Sequence, residues 1–552
     1  MILFNTHISW IAESWSYTEQ IPNVNHQIDK GEDLFIIWTL FWADNVSGAR
    51  SKQYQKHINV YMMNANLPGQ LLQQEYFVQF VSTSQNAGAL EQLRVVTNQV
   101  SATHVEPMQT YNAVTWCPCG FRLCIPDLPA DNPQQAKEAS HIGHQGNCKC
   151  HECIVGGENG FRVMLDSYYE FYEAGKPCNV EEIKACVLEQ IRLATFGVES
   201  KVEALQMKTG TKDKIAQHWI ALLIPCAHQL QAASPQRLHN EISVELLDWL
   251  GSQTSQPCNP LLDVEFLDPS QDTLAEILHT ILLGIEKYAW HDLHSSWTLA
   301  QQEIFSKCLQ VTNTDGLKIP PIRAEYMLQY HNGLIGKHFK TLIQTTSFHI
   351  HDLVSSDQFT LARTLGELAA VLWIPSIPNL LEYLDDLEVL IGNVLDAFAN
   401  INPSKILIKI KLHVLVHLPK HIRHRGPAVC FSTEVYECFN AVFRMCSVLS
   451  NHQASSHDIA YKFVNLDQVK HVMSSGYWLQ DSQWVTAGCD VHNLLFENPV
   501  LQRHLGWVSP SKAVPGLIKG PPRNKRTPLS AEGTLVLQCK NPMSLVWSGT
   551  DQ

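Results

Sequence analysis

The acidic residues that could do chemistry stand at the edges of expected elements. Asp44 closes an apolar, strand-like run, and Asp131 follows another in Leu128–Pro129–Ala130–Asp131–Asn132–Pro133. Glu434 and Glu437 sit near the start of a late helical pattern, three apart and therefore on one face. Two-metal phosphoryl transfer needs carboxylates from separate elements around two divalent ions roughly 3.5–4 Å apart. Mg²⁺ takes a few carboxylates and fills its shell with water and phosphate oxygens. Acids at the ends of adjacent strands can meet that need. The plainer reading of an Asp after a strand is a turn residue or a helix N-cap.

A second constellation is Cys148–x–Cys150–x–x–Cys153, within HIGHQGNCKCHEC, with His141, His144 and His151 close by in sequence. Zn²⁺ takes four thiolate or imidazole ligands, and a CxxC turn supplies two thiolates on one tight loop. His279, His291 and His294 are the distant histidines considered for completing a shell. The plainer alternative is free thiols and structural histidines. Cys117, Cys119 and Cys124 have no zinc-like spacing and read as core or surface thiols.

The positioning elements follow from periodicity. Leu34–Ala43, His57–Met63 and Glu75–Ser82 read as consecutive antiparallel strands, with turns at Val46–Ser47–Gly48 and Leu67–Pro68–Gly69. A helix over Ala89–Val100 and a fourth strand, Phe121–Ile125, come next. That strand is expected beside the first, and a second helix begins near Pro133. From Asn179 the period becomes helical: Asn179 suits an N-cap, Glu181 and Glu182 the first turn, and Gly197 the stop. Helical patterns continue over Lys212–Gln231, Pro235–Leu250, Thr273–Leu293, Phe359–Leu372, Leu380–Ala399 and Phe439–Leu449. Lys405–His417 reads equally as strand or helix. The expected class is α+β: a small core sheet, a large α-helical insertion and a zinc-binding loop. In segments, 1–30 is an irregular remnant and 31–175 the first part of the core with the cysteine loop. A mainly helical insertion spans 176–400, 401–470 returns to the core with the acidic helix, and 471–552 is irregular with a basic tract.

Composition bounds the function. The chain has 552 residues, 45 % hydrophobic and 17 % charged, a globular balance. A net charge of −13 argues against a protein that coats nucleic acid along its whole surface, so any DNA contact must rest on a local basic face. Candidates are Arg50, Lys52 and Lys56; His421, Arg423, His424 and Arg425; and Lys519, Arg523, Lys525 and Arg526 in the tract 519–526. No signal-peptide pattern and no membrane-length apolar run is present, so no membrane partner is expected. The sixteen cysteines fit a reducing compartment.

Residues 34–475 resemble the transposase region of fungal CACTA-like elements of the Plavaka type and, more distantly, plant En/Spm transposases. The segments that carry the resemblance are ADNVSGARSKQYQKHINVYMMNANLP (43–68), LPADNPQQAKEASH (128–141), the CxCxxC cluster and AEILHTILLGIEKYAWH (275–291), with LHVLVHLPKHIRHRGPAVCFSTEVYECFNAVFRMCSVLSNHQ (412–453) the most specific. The plant pattern places a Gly-Pro ten residues before the Glu of a Phe-Glu pair. Counting from Pro427 reaches Glu437, in Tyr436–Glu437. The resemblance implies a ribonuclease-H-like fold with an Asp, Asp, Glu triad, carried here by Asp44, Asp131 and Glu437. Glu434 is the alternative third acid and Asp127 an alternative second one. It further implies Mg²⁺ or Mn²⁺ at the acids, a structural Zn²⁺, transposon-end and target DNA as partners, homo-oligomers as an open option, and a nuclear setting. Such transposases usually carry DNA-binding segments before the core, whereas this chain starts close to its first strand. The expectation therefore covers a truncated copy, and with it two functions: an active enzyme, or an inactive remnant that binds DNA or protein.

Overall fold

The structure, a computed structural model, describes residues 33–48, 55–254, 256–317 and 319–508. They form two compact units: residues up to Glu276 together with Phe431–Trp507, and Ile277–Cys430.

The first unit is built on a five-stranded sheet of order β3-β2-β1-β5-β4. Strand β1 (Asp33–Ser47) carries the apolar run and is the longest. Its first half pairs in parallel with β5 (Pro118–Cys124), from Asp33↔Cys119 to Trp38↔Cys124. Its second half pairs antiparallel with β2 (Lys56–Asn64), from Thr39↔Asn64 to Ser47↔Lys56. Strand β3 (Gln79–Ser84) continues the meander, and β4 (Met108–Tyr111) pairs antiparallel with β5 at the other edge. The expected meander and the placing of the fourth strand beside the first are thus present. The third strand starts four residues later than its apolar run suggests, because Glu75–Phe77 makes a 3₁₀ turn. There the buried Tyr76 hydroxyl donates to the Lys470 carbonyl at 2.8 Å, which fixes the turn against a late helix.

Alternation along β1 sends its side chains to two different layers. Phe41 and Ala43 pack with Leu90, Leu93 and Val100 of helix α1 (Ala89–Val105) and with Ile125 and Leu128 beyond β5. Trp42 and Asp44 therefore face the opposite layer. Helix α2 (Asn132–Glu138) follows the sheet, and a two-stranded ribbon, β6 (Cys153–Ile154) with β7 (Lys176–Pro177), closes the cysteine loop. Helices α3 (Val180–Ala194), α4 (Lys214–Ala233) and α5 (His239–Gln253) pack on a shared core of Ile183, Val187, Ile220, Leu223, Leu246 and Leu250. Asn179 caps α3 as expected, accepting from the Glu181 and Glu182 amides.

The chain returns to the sheet with α6 (Glu434–Val448) and α7 (Ser455–Met473). Gly48, just past β1, lies so close to α6 that a Cβ there would sit 2.2 Å from Ser447 Oγ, which is why the turn needs a glycine. The segment after 471 is less irregular than expected: β8 (Tyr477–Gln480) and β9 (Gln483–Thr486) form a hairpin, and helices Cys489–Glu497 and Pro499–Leu505 follow.

The second unit is helical. The single helix expected over Thr273–Leu293 is instead a π-helix, Ile277–Glu286, running into an α-helix, Lys287–Ser295. Gly284 lets Lys411 approach it closely, and Lys411 Nζ donates to the His279 carbonyl at 2.6 Å. The ambiguous run 405–417 is helical, as Ser404–Ile408, Ile410–Val414 and Leu415–His417. Among the described residues no helix is long and apolar enough to cross a membrane.

Candidate functional site

Asp44 lies within β1, three residues before its end, on the face turned to α6. It is half-buried. Its Oδ1 accepts from the Asn45 amide at 2.7 Å and its Oδ2 from Asn440 Nδ2 of α6 at 3.4 Å. Asn440 is fully buried and is oriented in turn. Tyr61 donates to Asn440 Oδ1 at 3.1 Å, Asn59 Nδ2 donates to the Tyr61 hydroxyl at 3.1 Å, and Thr83 Oγ1 donates to Asn59 Oδ1 at 2.7 Å. This chain of bonds runs from β3 through β2 and α6 to the acid on β1. Burial, with the nearby Asp44 charge, holds the Tyr61 phenol well above its ordinary range, so it remains a donor.

The same layer is held by stacked rings. Trp42 stacks on Tyr61 at 5.7 Å and on Tyr436 at 5.4 Å, both nearly parallel. Burial is the main cause that raises the Tyr436 phenol, and the Asp127 charge adds to it. Asp127 is buried three residues beyond β5. Asp44 and Asp127 therefore act on the two tyrosines that flank Trp42. Glu437 occupies α6 between Tyr436 and Asn440, one turn before the asparagine that holds Asp44. Glu434 precedes it by a turn, and both acids fall in the first turn of α6, where the helix dipole favours negative charge.

Asp131 has a structural task. Its Oδ1 accepts from the Gln134 amide at 2.8 Å, making it the N-cap of α2, with Pro133 in the first turn. It also adds to the upward shift of Glu138, a buried side chain on α2 whose carboxyl is pushed up to about 8, mostly by burial.

In the cysteine loop, Cys150 and Cys153 are each 1 % exposed. The ribbon that Cys153 opens brings Cys178 alongside: the Cys178 amide donates to the Glu152 carbonyl at 2.8 Å. Burial first, and then the neighbouring thiols Cys150, Cys153 and Cys148, push Cys178 above the usual thiol range. Cys148 is half-buried and donates to the Lys208 carbonyl at 3.6 Å. His141 accepts from the Gly143 amide at 3.0 Å through Nδ1, and burial pulls it down to about 3, so it is neutral. His144 is exposed. His279 lies on the π-helix of the second unit. His291 and His294 follow on the adjoining α-helix, where His294 meets His331 with ring centroids 4.2 Å apart.

Sequence reasoning overlooked His413 and His417. They are 0 % and 4 % exposed, one helical turn apart, with ring centroids at 5.1 Å. Their signal was the H-x-x-x-H spacing within LHVLVH, which places two imidazoles on one helical face. Cys150 and Cys153 are a buried pair of thiols in the first unit, and His413 and His417 a buried pair of imidazoles in the second. Thiolates and imidazoles are the donors that zinc takes.

Of the basic residues, Lys56 is exposed at the start of β2, and Arg423 and His424 are exposed near the end of helix Leu418–Arg425. Arg425 is half-buried and His421 is in the core. Arg50, Lys52 and the tract 519–526 lie outside the described residues. No protein-family model matches this chain, and the search of curated proteins gave no match.

Proposed function

We propose that this chain is a metal-dependent DNA strand-cleaving and strand-transferring protein of the DDE transposase class, on a ribonuclease-H-like core. The observation that carries this reading is the Asp44–Asn440 bond, which ties an acid of the central strand to the helix bearing Glu434 and Glu437. The sheet supports it, since β1 runs antiparallel to β2 and parallel to β5, so that β5 delivers its trailing acids to the same side of the fold. Asp44 and Glu437, with Asp127 or Asp131, would hold Mg²⁺ or Mn²⁺. Bound there, such ions activate a water and stabilise the leaving oxygen of a phosphodiester. The chain's own residues do the positioning. Asn440 fixes the Asp44 carboxylate, Tyr61 fixes Asn440, and the Tyr61–Trp42–Tyr436 stack keeps water from that side of the acids. Cys150 and Cys153 would supply thiolates to one structural zinc, an ion that such donors fit better than Mg²⁺. DNA is the partner in this reading, met through exposed cations such as Lys56, Arg423 and His424, and the nucleus is its setting.

A second reading, an inactive transposon-derived remnant that binds DNA or protein, is favoured by the helix-capping role of Asp131. A nicking assay separates the two, using supercoiled DNA that carries the parent element's ends. Wild-type chain should nick it with Mg²⁺ or Mn²⁺. Asp44→Asn and Glu437→Gln should abolish nicking, with Glu434→Gln milder. Wild-type protein that binds this DNA without nicking it supports the remnant.

A further inference from the structure

In the second unit, three histidines that neither the acidic site nor the cysteine loop uses lie together. His291 and His294 stand three apart on the helix Lys287–Ser295, so they share one face. His331 opens the 3₁₀ turn His331–Gly333. The His294 and His331 ring centroids are 4.2 Å apart, and those of His291 and His294 are 5.7 Å apart. The buried Trp290 meets the His294 ring edge to face at 5.3 Å and backs it. Burial first, and then the charges of His331 and His291, pull His294 down to about 4, so at neutral pH it offers a lone pair. His331 Nδ1 lies 2.8 Å from the Leu328 carbonyl oxygen. A carbonyl only accepts, so Nδ1 carries the hydrogen, and Nε2 of the neutral ring carries the lone pair. A backbone carbonyl on the other ring nitrogen is a usual way to orient a metal-binding imidazole. Asp292, between the two helix histidines in sequence, is paired with Lys405. The His291 side chain is 68 % exposed, and His294 and His331 are half-buried, so the cluster opens to solvent.

We propose that His291, His294 and His331 bind one first-row divalent transition ion, such as Zn²⁺, which ties the helix Lys287–Ser295 to the turn His331–Gly333. Imidazole nitrogen is a donor for Zn²⁺, Cu²⁺ and Ni²⁺, whereas Mg²⁺ and Ca²⁺ take oxygen. With Zn–N bonds of about 2.0–2.1 Å, two imidazoles on one ion hold their centroids roughly 5–6 Å apart. The His291–His294 separation meets this as it stands. His331 has to draw back by about 1 Å, and its three-residue turn, with Asn332 and Gly333 exposed, leaves room for that. Water fills the remaining position on the solvent side. The site is distinct from the thiolate zinc, because its donors are all nitrogen and all belong to the second unit.

The test titrates Zn²⁺ into the full chain, its zinc content measured beforehand, and follows uptake by calorimetry at neutral pH. Diethylpyrocarbonate labelling with peptide mass mapping then locates the added ion on wild-type protein. Saturable uptake of one further ion is expected. Labelling of His291, His294 and His331 should slow at least tenfold, while His144, exposed in the first unit, is labelled at an unchanged rate. His294→Gln and His331→Gln should each weaken uptake at least tenfold, and His291→Gln severalfold. The labelling needs no variant, so it decides the matter even if His294→Gln fails to fold. No saturable uptake, labelling of His294 and His331 unslowed by Zn²⁺, or uptake unmoved by His331→Gln would overturn the proposal.

Discussion

Replacing Glu138 by Gln tests how burial sets the charge of the sheet-to-helix junction. Glu138 is fully buried on α2, and its Oε1 accepts from Gln134 Nε2 at 3.0 Å, an interaction that a Gln oxygen can keep. Its carboxyl is pushed from 4.5 up to about 8, by burial first and by the Asp131 charge as a further cause. The folded state therefore retains a proton that the unfolded chain has released. Stability from this group is fully present below about pH 4.5 and is lost as pH rises through about 8. At about 1.4 kcal/mol per pH unit, the shift corresponds to a loss on the order of 3–5 kcal/mol across that window. Glu138→Gln removes the titration. In urea unfolding at pH 5 and pH 8.5, the wild-type chain should lose on the order of 3 kcal/mol more than the variant between the two pH values. Parallel losses in both proteins would refute the argument, because every other titrating group is common to them.

The other expectations are more local. Tyr61→Phe removes the hydroxyl that joins Asn59 to Asn440, so it should cost about 1–3 kcal/mol in denaturant unfolding; a change within about 0.5 kcal/mol would show that the bond chain does not order the layer. Elemental analysis of purified wild-type protein should find zinc, and Cys150→Ser and Cys153→Ser should each remove it while His144→Ala keeps it; zinc retained in the first two would rule out these ligands. Neutralising Arg423 and His424 should weaken binding to DNA of any sequence and flatten its salt dependence. An unchanged salt slope would place the DNA contact elsewhere.

Much of the sheet was legible because β1, β2 and β5 are rich in apolar, aromatic and β-branched residues bounded by turn signals. The helices after 179 were legible through their caps, as at Asn179. The start of β3 was not, because Glu75–Phe77 is apolar enough for a strand yet is set as a turn by the distant Lys470 carbonyl. Strand β4 carries only four residues at a sheet edge, and its Met–Gln–Thr–Tyr has no period to read. The π-helix meets a partner far away in sequence, Lys411, which donates to the His279 carbonyl. At the candidate site, the types of residue were readable and their tasks less so. Asp131 stands in a motif that serves equally as ligand or cap, and the contact of Asn440 with Asp44 spans 396 residues. His413 and His417 were hidden by a segment whose helical state the sequence left open.

The most direct measurement of the central claim is diffraction from crystals of this chain soaked in Mn²⁺, with anomalous maps that locate the ion. The account predicts a peak about 2.1 Å from carboxylate oxygens of Asp44 and Glu437, with a third ligand from Asp127 or Asp131, and its loss in Asp44→Asn crystals. Well-ordered crystals in which saturating Mn²⁺ leaves these acids without a peak would contradict it.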